Sequence, residues 1–168
     1  MYFAAPDPVV AGRRVEVTAK LGISSRHYRA LAEFRFQIRK FLHFSETAVL
    51  AAGIEPQQHQ LLLVVKAFTG SRDGPTIGYI AERLQVRHHS AVELITRMEA
   101  RGLLCRQAAE RDRRQVIVAL TDRGEFLLDS LSTVHLQEVQ QIGPKLVATL
   151  QEVLSKESDA GADGVEHS

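Results

Sequence analysis

Between residues 83 and 123 the sequence carries nine arginines and no lysine, against five acidic residues. The guanidinium is a planar fork of donors that suits phosphate oxygens, guanine edges and narrow minor grooves. Two clusters concentrate this chemistry. One is Arg87-His88-His89-Ser90, followed by Val92 and Arg97; the other is Arg113-Arg114 beside Asp112. On a single helix face and on a hairpin tip, respectively, they could meet adjacent grooves of a nucleic-acid duplex. A solvated helical surface and a salt-bridged turn are the blander readings of the same residues.

The charge is graded along the chain. Residues 1–82, 83–123 and 124–168 have balances of +3, +4 and −6, which a net charge of +1 conceals. With no tryptophan, three tyrosines and seven phenylalanines, there is little material for stacking single-stranded bases. A duplex is the better match.

Other chemistries find less support. Cys105 is the only cysteine, which excludes an internal disulfide, a zinc thiolate pair and a C-x-x-C redox motif. It falls on a predicted strand, where an inert buried thiol is expected. His43, Glu46 and His59 lack the spacing of a metal site, and no metal or other cofactor is expected. There is no G-x-G-x-x-G, P-loop, H-E-x-x-H or G-x-S-x-G motif, and Gly70-Ser71-Arg72-Asp73-Gly74 reads as a turn-rich loop, so the chain is not expected to be an enzyme. No apolar run approaches the roughly 18 residues of a membrane span, and the first residues do not resemble a secretory leader. A cytoplasmic protein without a membrane partner is expected.

The elements that must hold the arginines follow from periodicity. Residues 1–25, with Pro6, Pro8, Gly12 and Gly22, form no sustained pattern and read as an arm. Tyr28, Leu31, Phe34, Ile38, Phe41, Leu42 and Val49 recur at helical spacing over 26–52, with Gly53 as a stop. Pro56 suits the first turn of a second helix burying Leu61, Leu62, Val64, Val65 and Phe68. Thr76 can cap a third, with Ile77, Ile80, Ala81 and Leu84 inward. After a tight turn at Gln85-Val86, Ala91, Leu94, Ile95 and Met98 define a fourth helix that stops at Gly102. Strands are expected over 103–107 and 115–120, around a charged hairpin tip at 108–114. Thr121 can cap a helix holding Phe126, Leu127, Leu131, Val134, Leu136 and Val139, which Gly143-Pro144 should interrupt before a final helix with Leu146, Val147, Leu150, Val153 and Leu154. Residues 156–168 read as a disordered tail.

The run Asp112-Arg113-Arg114-Gln115-Val116-Ile117-Val118-Ala119-Leu120-Thr121-Asp122-Arg123-Gly124 resembles the wing signature of the MarR family. Ile80-Ala81-Glu82-Arg83-Leu84 and Met98-Glu99-Ala100-Arg101-Gly102-Leu103 fall at that family's spacing. The resemblance covers about residues 26–155. It implies a mainly α fold with a small β wing: a winged helix-turn-helix over about 54–121, with long dimerisation helices over about 26–52 and 121–155.

It further implies a homodimeric, sequence-specific transcription regulator of double-stranded DNA. Such a protein would most often be a repressor, bound to an inverted repeat and released by a small aromatic or phenolic anion. The helix near 88–101 becomes the recognition helix, with Arg87, His88, His89, Ser90, Val92 and Arg97 on DNA. Arg113 and Arg114 become wing-tip arginines. Arg39, His43, Phe44 and His59 become candidates for the effector site. One departure stands out: relatives commonly cap the recognition helix with Ser or Thr, whereas Arg87 has no acceptor to offer. A winged-helix protein-interaction module and a non-specific DNA-binding protein are the alternatives.

Overall fold

The computed structural model describes residues 24–68, 74–109 and 114–155. They form α1 (Ser25–Ala51), α2 (Pro56–Lys66), α3 (Ile77–Leu84), α4 (His88–Ala100), β1 (Leu104–Ala108), β2 (Val116–Leu120) and α5 (Asp122–Leu154). The architecture is the mainly helical winged helix-turn-helix that the family resemblance implies. Of the expected arm only Ser24 and Ser25 are described, as the cap and first residue of α1; the rest of the arm and the tail (156–168) lie outside the described residues.

Local chemistry fixes where the helices begin. Ser24, Thr76 and Thr121 each accept a hydrogen bond from the backbone N–H three residues on, at 3.5, 3.2 and 3.1 Å. Pro56 opens α2, where its missing N–H has no helical partner to lose.

The ends share one device. Gly53 and Gly102 turn to φ of +77° and +66°, which lets the N–H of Ile54 reach the Val49 carbonyl and that of Leu103 reach Met98. The turn between α3 and α4 closes in the same way at Gln85 (φ +54°), with Val86 N–H on the Ala81 carbonyl at 3.0 Å. A non-glycine residue there costs about 1 kcal/mol, and the reward is the tight angle between the two helices.

The core gathers Val49, Ile54, Leu61, Leu62, Ile80, Leu94, Ile95, Met98, Leu104, Val118 and Leu128, all essentially buried. β1 and β2 pair antiparallel from Leu104–Leu120 to Ala108–Val116. A bridge between Thr76 and Ile117, with Val118 N–H on the Pro75 carbonyl at 3.0 Å, ties this hairpin to the start of α3. α1 lies chiefly along α5.

One expectation is corrected. Gly143 and Pro144 do not interrupt the last helix; α5 runs through both for 33 residues, roughly 50 Å. Proline removes one helical hydrogen bond, and because Pro144 is exposed, water can take the freed carbonyl. The apolar stripe of α1 is partly buried: Val49 is enclosed, as are Ala30 and Gln37 of the same helix, whereas Tyr28, Leu31 and Leu42 are exposed, as are Phe126, Leu136 and Val139 on α5. That exposed apolar surface has no partner among the described residues. Among the described residues no helix is long and apolar enough to cross a membrane.

Candidate functional site

The inward face of α4 is Ala91, Leu94, Ile95 and Met98, each at most 2% exposed. Burying that stripe against α3 and the core leaves the opposite face no freedom. Arg87, His88, His89, Glu93, Thr96 and Arg97 are exposed along it, with Ser90 and Val92 half-buried between them. All six of the expected contact residues in this segment are therefore exposed or half-buried. The Arg87 side chain makes no capping bond, so the first-turn N–H groups and the positive end of the helix face outward beside His88 and His89. Arg114 is exposed at the root of β2. Asp112 and Arg113 lie outside the described residues.

Glu93 and Thr96, not anticipated from the sequence, complete this surface; a carboxylate there can accept from cytosine N4. A second unanticipated residue sits behind it. Arg106 on β1 donates to the Val92 carbonyl at 3.1 Å and to Thr96 Oγ1 at 3.0 Å, and pairs with Glu99, which also accepts the Arg106 backbone N–H at 2.8 Å. One arginine of the basic segment thus fastens the wing strand to the recognition-helix candidate instead of facing solvent.

A different environment lies where α1, α2 and α5 meet. Phe41, Leu42, Leu63, Leu136 and Val139 wall a cavity of about 390 Å³, into which His59 and His135 also project. The two rings stack at 4.7 Å and 30°, and Phe41 and Phe44 set their edges against His135. His135 Nδ1 is 2.7 Å from the Leu131 carbonyl, which can only accept, so Nδ1 carries a proton. Its Nε2 then accepts from the Ser45 hydroxyl at 2.8 Å when the ring is neutral. His59 is 2% exposed and its Nε2 has no hydrogen-bond partner among the described residues.

Of the four effector candidates, His59 alone lines this cavity. Phe44 packs behind it on His135, while Arg39 and His43 are exposed and line no part of it. The reason is angular: each lies two residues, about 200° of helix, from Phe41. His135, Ser45 and Ser132 were missed, since no spacing in the sequence links them to His59. Cys105 is half-buried, with Sγ 3.8 Å from the Ala119 carbonyl.

Burial, and then the positive charge that His135 can carry, lowers the His59 pKa from its ordinary 6.5 to about 4. The unfolded chain therefore binds more protons than the folded one between those values, and stability falls as pH drops from about 6.5 to about 4. The expected contribution between pH 7 and pH 5 is about 1–2 kcal/mol, below the full linkage because at pH 5 the folded-state histidine is still above its own pKa. Urea unfolding at pH 7 and pH 5 should show it in the wild type, and less of it in His59→Phe. Parallel losses in both proteins would remove His59 as the cause.

Comparison with known proteins meets the same architecture. The sequence model of the MarR family matches residues 52–115. A Thauera aromatica protein named as a transcriptional regulatory protein for the hcr operon is 24% identical over 112 residues, 67% of this chain and 65% of that one, so this chain spans just under two thirds of its curated relative. A variant of Staphylococcus aureus MepR bound to an oligodeoxyribonucleotide superposes with a TM-score of 0.58 at 21% identity, covering 76% of this chain and 95% of that one. CouR of Rhodococcus jostii, bound to p-coumaroyl-CoA, gives 0.54 at 19%, covering 71% and 88%. At these identities the two structures bear on fold alone. The family match falls on the helix-turn-helix and the root of its hairpin, and the chain's winged helix-turn-helix is similar to that of the MarR family.

Proposed function

We propose that the protein regulates transcription as a homodimer that reads duplex DNA through α4 and the β1–β2 hairpin and is released by a small molecule bound between α1, α2 and α5. The observation that carries this reading is the division of α4: one face locked into the core, the other presenting Arg87, His88, His89, Glu93, Thr96 and Arg97. A helix about 10–12 Å across fits a major groove about 12 Å wide. Arg113 and Arg114 would then reach the neighbouring minor groove, where arginine is favoured.

The exposed apolar residues of α1 and α5, among them Tyr28, Phe36, Leu136 and Leu154, favour burial against a second copy. Two-fold symmetry would set the recognition helices about 34 Å apart. The solved MepR variant holds an oligodeoxyribonucleotide and CouR holds p-coumaroyl-CoA; both partner classes suit the two sites described here. Repression, with release by the bound molecule, is the mode of action we assign.

Selection from a random duplex library near physiological salt tests the reading. Enrichment of an inverted repeat with half-sites about 10 base pairs apart is expected. Unselected recovery would mean a non-specific binder, and no recovery a protein-interaction module. On the selected operator, Arg97→Ala should cost about 1 kcal/mol and lower the slope of log K against log salt by about 1. Unchanged affinity and slope would take Arg97 off the interface.

A further inference from the structure

The outward face of α4 carries one group that a phosphate backbone repels. Glu93 is exposed among Arg87, His88, His89 and Arg97, and among the described residues it makes no hydrogen bond or ion pair. Arg97 lies one helical turn further on, a spacing at which glutamate and arginine can pair. No ion pair joins them; with Val92 and Thr96 they line a shallow hollow of about 360 Å³. The Thr96 hydroxyl is already committed, donating to the Val92 carbonyl at 2.9 Å and accepting from Arg106 at 3.0 Å. It has no further proton to offer a base, so what Thr96 adds to the hollow is its methyl group.

We propose, on the reading of α4 as the helix that meets DNA, that Glu93 selects a cytosine in each half-site. Its carboxylate accepts from the N4 amino group while the C5 edge of the same base faces Val92 and the Thr96 methyl.

The assignment follows from what each base shows in the major groove. Guanine presents O6 and N7, and thymine presents O4; these acceptors repel a carboxylate. Adenine offers its N6 amino group, but the acceptor N7 stands beside it. Cytosine alone sets an amino donor next to an apolar edge, and that pattern matches a carboxylate flanked by two aliphatic groups. Arg97, held to a phosphate, offsets the charge that Glu93 brings to the duplex. Glu93 therefore determines specificity at a cost in affinity: every duplex without the cytosine meets an unpaired carboxylate.

The test puts the full chain and its Glu93→Gln and Glu93→Ala variants through the same random-duplex selection, then titrates the recovered operator with each base pair at each half-site position. Wild type should show one position where cytosine is preferred about tenfold or more over thymine, within the range of one good base contact. Glu93→Gln, whose amide both donates and accepts, should prefer adenine there. Glu93→Ala should level that position to within about threefold while the others hold, and should raise affinity for unrelated duplex about twofold or more, because a negative charge has left the interface. 5-Methylcytosine at that position should bind at least as tightly as cytosine, its methyl meeting Val92 and Thr96; thymine carries the same methyl with an acceptor at C4, so the two together isolate the amino group. Because the Glu93 side chain bonds to no described residue, the variants should melt with wild type, which separates a lost contact from a lost fold. Base preferences unchanged in both variants would overturn the inference and leave the DNA reading in place, as would a loss of about tenfold on 5-methylcytosine. Recovery of no DNA by wild type would remove the DNA reading and the inference with it.

Discussion

Gly124→Ala is expected to destabilise the protein by about 3 kcal/mol, lowering its melting midpoint by roughly 6–12 °C. Gly124 is in the first turn of α5, where the helix crosses the start of β1. A Cβ there would fall far inside contact distance of the Leu103 carbonyl oxygen, 3.1 Å from the Leu103 carbonyl carbon and 3.3 Å from Leu120 Cδ2. The obstacle is backbone, and it is committed: the same carbonyl accepts the Thr121 N–H at 3.2 Å, while the Thr121 hydroxyl donates to the Gly102 carbonyl at 2.7 Å. Moving it would undo the cap that starts α5. Gly143→Ala supplies the internal control. It makes the same change in the same helix, and apart from its chain neighbours and the helix's own backbone nothing lies within 4 Å of the added atom, so its cost should be limited to the crowding of a Cβ against the Pro144 ring. The Gly143→Ala midpoint should therefore lie well above that of Gly124→Ala. A Gly124→Ala midpoint within a degree or two of wild type would mean that α5 does not approach β1 as described.

How much of this was legible in the sequence depends on the range of the interaction. The inward face of α4 was, because Ala91, Leu94, Ile95 and Met98 repeat within one helix and each is buried. The caps at Thr76 and Thr121 were, because hydroxyl and N–H lie three residues apart. The continuity of α5 was not. A local rule breaks a helix at Gly143-Pro144, but the cost there is a single hydrogen bond, while Ile142 and Thr149 on either side are buried where α5 packs along α1. Tertiary packing outweighed the propensity. On α1 periodicity registers the helix and its apolar stripe without saying whether the stripe meets this chain or another.

The cavity was legible only in part. His59 could be named, but its partner His135 belongs to a helix far along the chain, and only folding brings the rings to 4.7 Å. The sequence likewise offers no way to rank nine arginines by task. Those that could meet DNA and the one that fastens α4 to the wing differ only in their surroundings.

That difference underlies the second prediction. Arg106→Ala should weaken operator binding by about 10- to 100-fold, or about 1.4–2.8 kcal/mol, although Arg106 is not placed to touch DNA. Its guanidinium is occupied by the Val92 carbonyl, Thr96 Oγ1 and the Glu99 carboxylate. Three positions of α4 are thereby held by one residue of β1, fixing the recognition helix relative to the hairpin. A helix and a wing that meet adjacent grooves gain from each other only while their spacing is set beforehand. Releasing the clamp also leaves Glu99, about three-quarters buried, without its cation. Lysine should rescue little, because a single ammonium cannot reproduce the fork.

The salt dependence separates this role from a phosphate contact. Losing Arg97 should lower the slope of log K against log salt by about 1, whereas Arg106→Ala should leave it nearly unchanged while the affinity falls. A double-mutant cycle with Glu99→Ala should show coupling of about 1 kcal/mol or more. A slope that drops by about 1 in Arg106→Ala would instead place that guanidinium on the DNA backbone, and an unchanged affinity would mean that the recognition helix keeps its position without the clamp.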